Sequence, residues 1–175
     1  MNTRGECEPG SHHVAHTDDD HYVAANDNHL FQRVCDIASR CECCWFAWIG
    51  LVDLVRDRIV PVAAAGYEDH YLDEIRVDLS ATPYGRGPVG CAARQDCIWI
   101  IADVEADVRM VPWREEALRR GFRAVAAFPL RSGNSVVGVM AVYSAVSFTA
   151  DAIEQLMRLS KGASFALSTR TVSAA

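Results

Sequence analysis

The 175-residue chain predicts a three-layer α/β/α sandwich with a central, mainly antiparallel sheet of five to six strands. Three observations point there. Two pairs of apolar runs are each joined by a short polar turn: "CWFAWIGLVDL" to "IVPVAAAG" across "VRDR", and "RAVAAFPL" to "SVVGVMAVYSA" across "RSGN". That is the pattern of antiparallel hairpins. The second pair is apolar almost without alternation, so both faces of its strands need cover. Helical patterns before, between and after the strands supply that cover.

The elements follow in order. Residues 1–25 are polar and aperiodic, with His12, His13, His16 and His21 beside Asp18, Asp19 and Asp20; this composition predicts a disordered tail. Residues 26–170 form one domain and residues 171–175 a short C-terminal tail. From Asn26 or Asp27, either able to cap a helix, Leu30, Val34, Ile37, Ala38 and Cys41 share one helical face. After the first hairpin, "YEDHYLDEIRVDL" is polar and reads as irregular or helical. A glycine turn, the two-turn helix "PVGCAARQ" and the strand "CIWIIAD" come next. "VRMVPWREEALRRGF" reads as one helix. Pro112 suits its first turn, Glu115 with Arg119 and Glu116 with Arg120 make i,i+4 pairs, and Gly121 takes the left-handed position at its end. Beyond the second hairpin a last helix runs from about Thr149 to Arg170. Its stripe of Ile153, Leu156, Met157, Ala163 and Leu167 covers the sheet, which leaves a second stripe with Leu159 and Ala166 for a partner.

The totals exclude several functions. A formal net charge of −6 without a basic stripe speaks against nucleic acid. No apolar run approaches a membrane span, and the N-terminal stretch lacks a hydrophobic signal core, so the cytoplasm is expected. Seven cysteines, an odd number, point to reduced thiols. Cys35, Cys41, Cys43 and Cys44 invite metal or redox chemistry, yet the second knuckle of a zinc site is missing. No metal is expected, and the role of this cluster stays open.

Gly85-Arg86-Gly87-Pro88-Val89-Gly90 spells G-x-G-x-x-G, the dinucleotide fingerprint, with Asp103 near the acidic position. The surrounding unit does not fit. "EIRVDLSATPY" is no buried parallel strand, and "PVGCAARQ" is too short for a parallel crossover. The glycines are expected to shape a tight turn and start a short helix.

The order of elements resembles the GAF domain family over about residues 27–170. The matching stretches are the glycine-rich turn, Asp103 closing the edge strand, Trp113 in its helix, Phe128 to Leu130, Gly138 in the last strand, and "FTADAIEQL". The resemblance implies a GAF-like small-molecule sensor without catalysis of its own. It also implies a homodimer through the first and last helices, and an output domain such as a kinase or diguanylate cyclase in cis or in trans. The family's pocket lies on the sheet face opposite those helices. Carried over, it nominates Tyr84, Trp99, Asp103, Met110, Trp113, Arg114 and Arg123. Trp113 would stack on a planar ligand and Arg123 would pair with a carboxylate or phosphate. The cyclic-nucleotide pattern, a bilin cysteine beside histidine and a haem histidine are all missing, since the last histidine is His70, so the cofactor is unknown. The family's methionine sulfoxide reductases imply an alternative, a thiol enzyme using Cys91 and Cys97. The cysteine pattern matches poorly, because Cys91 follows Gly90 and the later helix carries no cysteine. A dimerisation-only module is the third reading.

Overall fold

Two antiparallel hairpins set side by side make most of the sheet. In the structure, a computed structural model that describes residues 25–67 and 69–173, β1 (Cys44–Asp53) pairs with β2 (Arg58–Gly66) and β4 (Ala124–Ser132) with β5 (Ser135–Ser144). β1 and β5 join the hairpins, and the short β3 (Trp99–Ile101) adds to β4, giving the order β2-β1-β5-β4-β3. Every neighbouring pair is antiparallel, so the predicted five- to six-stranded sheet has five strands.

Alternation then divides the side chains between two cores. On one face Ala47, Ile49, Ala126, Phe128, Met140 and Val142 meet α1 (Ala25–Ala38) and α5 (Ala150–Ser173). On the other, Phe46, Trp48, Val125, Ala127, Ala141 and Tyr143 meet α2 (Tyr71–Glu74), α3 (Pro88–Gln95), α4 (Arg114–Arg119) and the loops between them. A single register row crosses this second face as Trp48, Ala141, Ala127 and Trp99. Two alanines between two tryptophans leave a trough for the covering side chains.

The helices differ from expectation in three ways. The buried face of α1 is Phe31, Val34, Cys35 and Ala38, whereas Ile37 is 51% exposed. Two overlapping stripes share a 3.6-residue period, and the sheet selects the one that buries the phenylalanine. The helix predicted over "VRMVPWREEALRRGF" is split into a 3-10 turn, Val108–Met110, and α4. Pro112 has no N–H to continue a helical ladder, and Trp113 leaves helical geometry at φ −119°. Gly121 does end α4 in the left-handed region, at φ 80°, with the Phe122 N–H donating to the Ala117 carbonyl at 2.9 Å. Glu116 pairs with Arg120 at 2.6 Å as predicted, but Arg119 also turns to Glu116, at 2.7 Å, and not to Glu115. Finally, α5 runs to Ser173, three residues into the expected C-terminal tail. The expected N-terminal tail, apart from Ala25, lies outside the described residues, as do residues 174–175.

Thr149 caps α5, its Oγ1 accepting from the Ala152 N–H at 3.1 Å. Ser164 and Ser168 accept from the backbone N–H groups of Arg131 and Gly133, at 3.0 and 2.9 Å, and so fasten the helix to the β4–β5 turn. No helix among the described residues is long and apolar enough to cross a membrane.

Truncating Leu156, fully buried between α5 and the sheet, is expected to cost about 2–5 kcal/mol. Phe165→Ala, at a position 72% exposed in the single chain, is expected to shift the stability of the monomer by no more than about 0.5 kcal/mol. Urea unfolding of the two variants measures both, and equal losses contradict the assignment of the sheet-facing stripe.

Candidate functional site

The candidate site grows from the segment between α2 and α3. Residues 75–79 run beside the edge strand β2: the Ile59 N–H donates to the Val77 carbonyl and the Leu79 N–H to the Asp57 carbonyl, both at 3.0 Å. The Asp78 carboxylate, 1% exposed, anchors the turn that follows. It accepts from Arg76 at 2.6 and 3.1 Å and from the Thr82 hydroxyl at 2.6 Å, and its backbone N–H donates to the Tyr84 carbonyl. The Arg76 guanidinium, and then the Thr82 hydroxyl, hold this carboxyl below the usual carboxylate range against the opposing effect of burial. Arg94, from the last turn of α3, reaches back and donates to the carbonyls of Leu79 and Gly85, each at 2.7 Å. The glycine motif is thus a braced turn that launches α3 from Gly87, with Pro88 in its first turn.

That brace positions Trp113. The six-membered ring of its indole occupies the space where a Cβ on residue 87 would stand, so only glycine fits there. Its Nε1–H donates to the Arg76 carbonyl at 2.8 Å, and Tyr84 meets it edge-on with ring centroids 6.3 Å apart. Trp113 is 6% exposed and, with Ile75, lines two neighbouring spaces. Outside it lies a cleft of about 230 Å³ between Glu74, Arg76, Tyr84, Pro112 and Glu116. Inside lies a cavity of about 10 Å³, lined by Ile75, Val77, Pro88, Val89, Met110 and Tyr143 as well as Trp113. That volume is no more than about the space one water needs.

The inner face also carries unused polar capacity. Trp48 Nε1, the Tyr71 hydroxyl, Trp99 Nε1 and Arg114 Nε are buried without a hydrogen-bond partner. Among the described residues these are the four such side-chain atoms; Trp48, Tyr71 and Trp99 belong to the core covered by α2 to α4, and Arg114 stands on α4 itself. The indole N–H of Trp48 and the Tyr71 hydroxyl both approach the Tyr143 hydroxyl, which lines the cavity, without reaching good hydrogen-bond geometry. Burial pushes the Tyr143 and Tyr71 phenols up, so both stay neutral at physiological pH.

Of the seven predicted site residues, the structure brings Tyr84, Met110 and Trp113 to the two spaces. Trp99 stands on the same sheet face, with the Arg109 guanidinium 4.9 Å from its ring centroid. The other three serve the loops. Asp103 accepts from the backbone N–H groups of Glu105 and Ala106, at 2.9 and 3.2 Å. Arg114 donates through Nη2 to the Asp107 carbonyl. Arg123 is solvent-facing and pairs with Glu105 at 3.1 Å, so neither space contains it. Trp48, Tyr71, Tyr143, Asp78 and Arg94 were missed. Alternation along "CWFAWIG" places Phe46 and Trp48 together, the one signal in the sequence for this group.

The rim charges are already matched. Arg120, 4% exposed, donates to the Asp69 carbonyl, to Glu116 at 2.6 Å and to Glu74 at 3.2 Å, with its guanidinium over the Tyr71 ring. A hydrogen bond from the Glu74 carboxyl, followed by those from Arg119 and Arg120, brings Glu116 down to about 2. Cys91 lies 6% exposed in α3, its thiol donating to the Arg86 carbonyl at 3.3 Å. Burial raises this thiol, and Arg94 and Arg109 counter it only in part.

The sequence profile of the GAF domain matches residues 24–168. The chain belongs to the GAF domain family. No curated protein matches it in sequence. Among solved structures it is similar to the GAF domain/HD domain protein from Geobacter sulfurreducens, with a TM-score of 0.67 and 14% identity over 84% of this chain and 95% of that one. It is similar also to the second GAF domain of DevS from Mycobacterium smegmatis, with a TM-score of 0.63 and 16% identity over 84% and 96%. A type II free methionine-R-sulfoxide reductase from Thermoplasma acidophilum gives a TM-score of 0.62 and 12% identity over 79% and 89%. At these identities the likeness is one of fold, and the chemistry has to be argued from this chain's own residues.

Asp78 gives that argument a pH test. Its folded-state pKa is depressed, so its contribution is present above the ordinary carboxylate value of about 3.9 and is lost as pH falls through the folded value. Asp78→Asn is expected to destabilise the domain by about 1–3 kcal/mol at neutral pH. The gap to wild type should shrink as the pH drops below about 4. Urea unfolding from pH 7 to pH 3 checks this, and a gap independent of pH excludes Asp78 as the group responsible.

Proposed function

We propose that this GAF domain is the sensory module of a cytoplasmic signalling protein, binding a small molecule behind Trp113 and passing that state to an output domain through α1 and α5. The carrying observation is the distribution of unsatisfied polar atoms. Three of the four, on Trp48, Tyr71 and Trp99, lie in the core on the sheet face that also carries the cavity lined by Trp113 and Tyr143. Each such atom costs about 1–3 kcal/mol when buried unpaired. A ligand that displaces the indole and supplies hydrogen bonds recovers part of that cost, which is a physical basis for preferring one state.

The signal has a short route. Trp48 and Tyr143 face the cavity side, while Ile49, Met140 and Val142 on the same two strands press on α1 and α5. A ligand shifts the arrangement of those helices only as far as it binds one arrangement more tightly. Ile37 and Phe165, exposed on α1 and α5, are consistent with a homodimer formed through these helices, joined to an output such as a kinase or diguanylate cyclase in cis or in trans.

The competing reading, a sulfoxide reductase acting through Cys91 and Cys97, is supported by likeness of fold. The raised, nearly buried Cys91 thiol opposes it, since a nucleophilic cysteine needs an accessible thiolate.

Thermal-shift screening of a metabolite library, followed by affinity measurement on each hit, tests the sensory reading. Trp113→Ala is expected to change affinity at least tenfold, about 1.4 kcal/mol, and Arg123→Ala to leave it unchanged. No hit in the library, together with stability that depends on protein concentration, decides for the dimerisation-only module. Turnover of a sulfoxide that disappears in Cys91→Ser decides for the enzyme.

A further inference from the structure

The turn between α1 and β1 holds Cys41-Glu42-Cys43-Cys44, a C-x-x-C spacing that the sensory reading does not use. We propose that Cys41 and Cys44 form a site of reversible thiol oxidation, closing an internal disulfide across this turn when the reduced chain meets a low-molecular-weight disulfide.

The geometry selects this pair. The Cys44 N–H donates to the Cys41 carbonyl at 3.0 Å, and Cys43, third in the turn, has φ 64°. A four-residue turn of this kind brings its first and last Cα atoms within about 7 Å. A disulfide spans Cα separations of about 4.4–6.8 Å. Cys41 and Cys44 both pack on the α1–α5 core, so their side chains share one side of the turn, whereas Cys43 is not part of that cluster. Neighbouring Cα atoms such as those of Cys43 and Cys44 stand about 3.8 Å apart, short of the disulfide range. Cys35 belongs to the same core but is fully buried within α1. Cys41 is half-buried and offers the point of attack, while Cys44 is 8% exposed and becomes the resolving thiol. Among the described residues no group of three His, Cys, Asp or Glu side chains is placed to hold a metal ion.

The exchange balances. The Cys41 thiolate attacks one sulfur of the small disulfide, breaking its S–S bond and expelling one thiolate, which leaves a mixed disulfide on Cys41. The Cys44 thiolate then attacks the Cys41 sulfur and expels the second small thiolate. The two protons from Cys41 and Cys44 end on the two released thiols. One protein disulfide has formed and one small disulfide has been reduced. Burial, and then the neighbouring thiols, push Cys44 up to about 12, and burial followed by Cys43 raises Cys41. Closure is therefore slow at neutral pH and accelerates as pH rises. The product ties the first residue of β1 to the end of α1 and removes the thiol that donates to the Ile37 carbonyl in the last turn of that helix.

The test treats the full reduced chain with oxidised glutathione at about pH 8.5, where an ordinary thiol is half ionised. Peptide mass spectrometry without reductant then reads the segment from Cys41 to Arg56. Wild type and Cys43→Ser are expected to lose two hydrogens there and to carry no glutathione on Cys41 or Cys44, any wild-type adduct standing on Cys43 alone. Cys41→Ser and Cys44→Ser are expected to fail to close: buried Cys44 stays reduced in the first, and Cys41 accumulates at least tenfold more glutathione adduct in the second than in wild type. Closure in Cys41→Ser at the wild-type rate, loss of closure in Cys43→Ser, a wild type that stops at the Cys41 adduct, or a wild type that stays reduced each overturns the proposal. Because Cys44 is buried, Cys41→Ser at the half-buried position decides the matter if Cys44→Ser fails to fold.

Discussion

A sheet buried on both faces must divide its side chains between two cores, and the organisation of this domain follows from how β1, β4 and β5 divide theirs. One face receives aliphatic residues and two long helices, and no buried side-chain polar atom among its described residues lacks a partner. The other receives Phe46, Trp48 and Tyr143 on the strands, with two alanines forming the trough between Trp48 and Trp99. Its cover is assembled from short helices and loops. Long helices satisfy their own backbone and bring apolar stripes. Loops bring carbonyls, arginines and indoles, so the polar chemistry collects on the loop side.

That loop side holds its shape through a chain of braces. Asp78 gathers Arg76 and Thr82, Arg94 draws the start of the turn against α3, and Gly87 leaves room for an indole. Trp113 then lines both spaces and ties itself to the Arg76 carbonyl. The indole is held by one hydrogen bond and by ring packing, while the turn beneath it is held by several charge-assisted bonds, which are the stronger kind. The indole is therefore held less firmly than the turn beneath it.

Electrostatics and thiol chemistry keep the two ends of the domain apart in character. The rim carboxylates Glu74 and Glu116 are matched by Arg119 and Arg120, and no charged side chain lines the inner cavity. The cysteines at the end of α1 sit on the opposite face of the sheet, against the two long helices. Ligand binding and thiol oxidation, as inferred above, would reach α1 from different sides of β1.

The sequence by itself determined the layers, the two hairpins, the glycine turn with its short helix, and the left-handed stop at Gly121, because each depends on periodicity or on the backbone chemistry of glycine and proline nearby. Of the seven residues that the family resemblance nominated, Tyr84, Met110 and Trp113 stand at the two spaces. Tertiary structure decided the rest. Phe31 rather than Ile37 faces the sheet because two helical stripes overlap and only packing chooses between them. The helix breaks at Pro112, which has no N–H to continue the ladder, and the tertiary packing then sets Trp113 against Gly87. Arg123 turns outward to Glu105 because the end of β4 is crossed by the loop that carries Val104, whose N–H donates to the Arg123 carbonyl. Trp48, Tyr71 and Tyr143 come together from three distant segments, and a meeting across a register leaves no spacing in the chain to read.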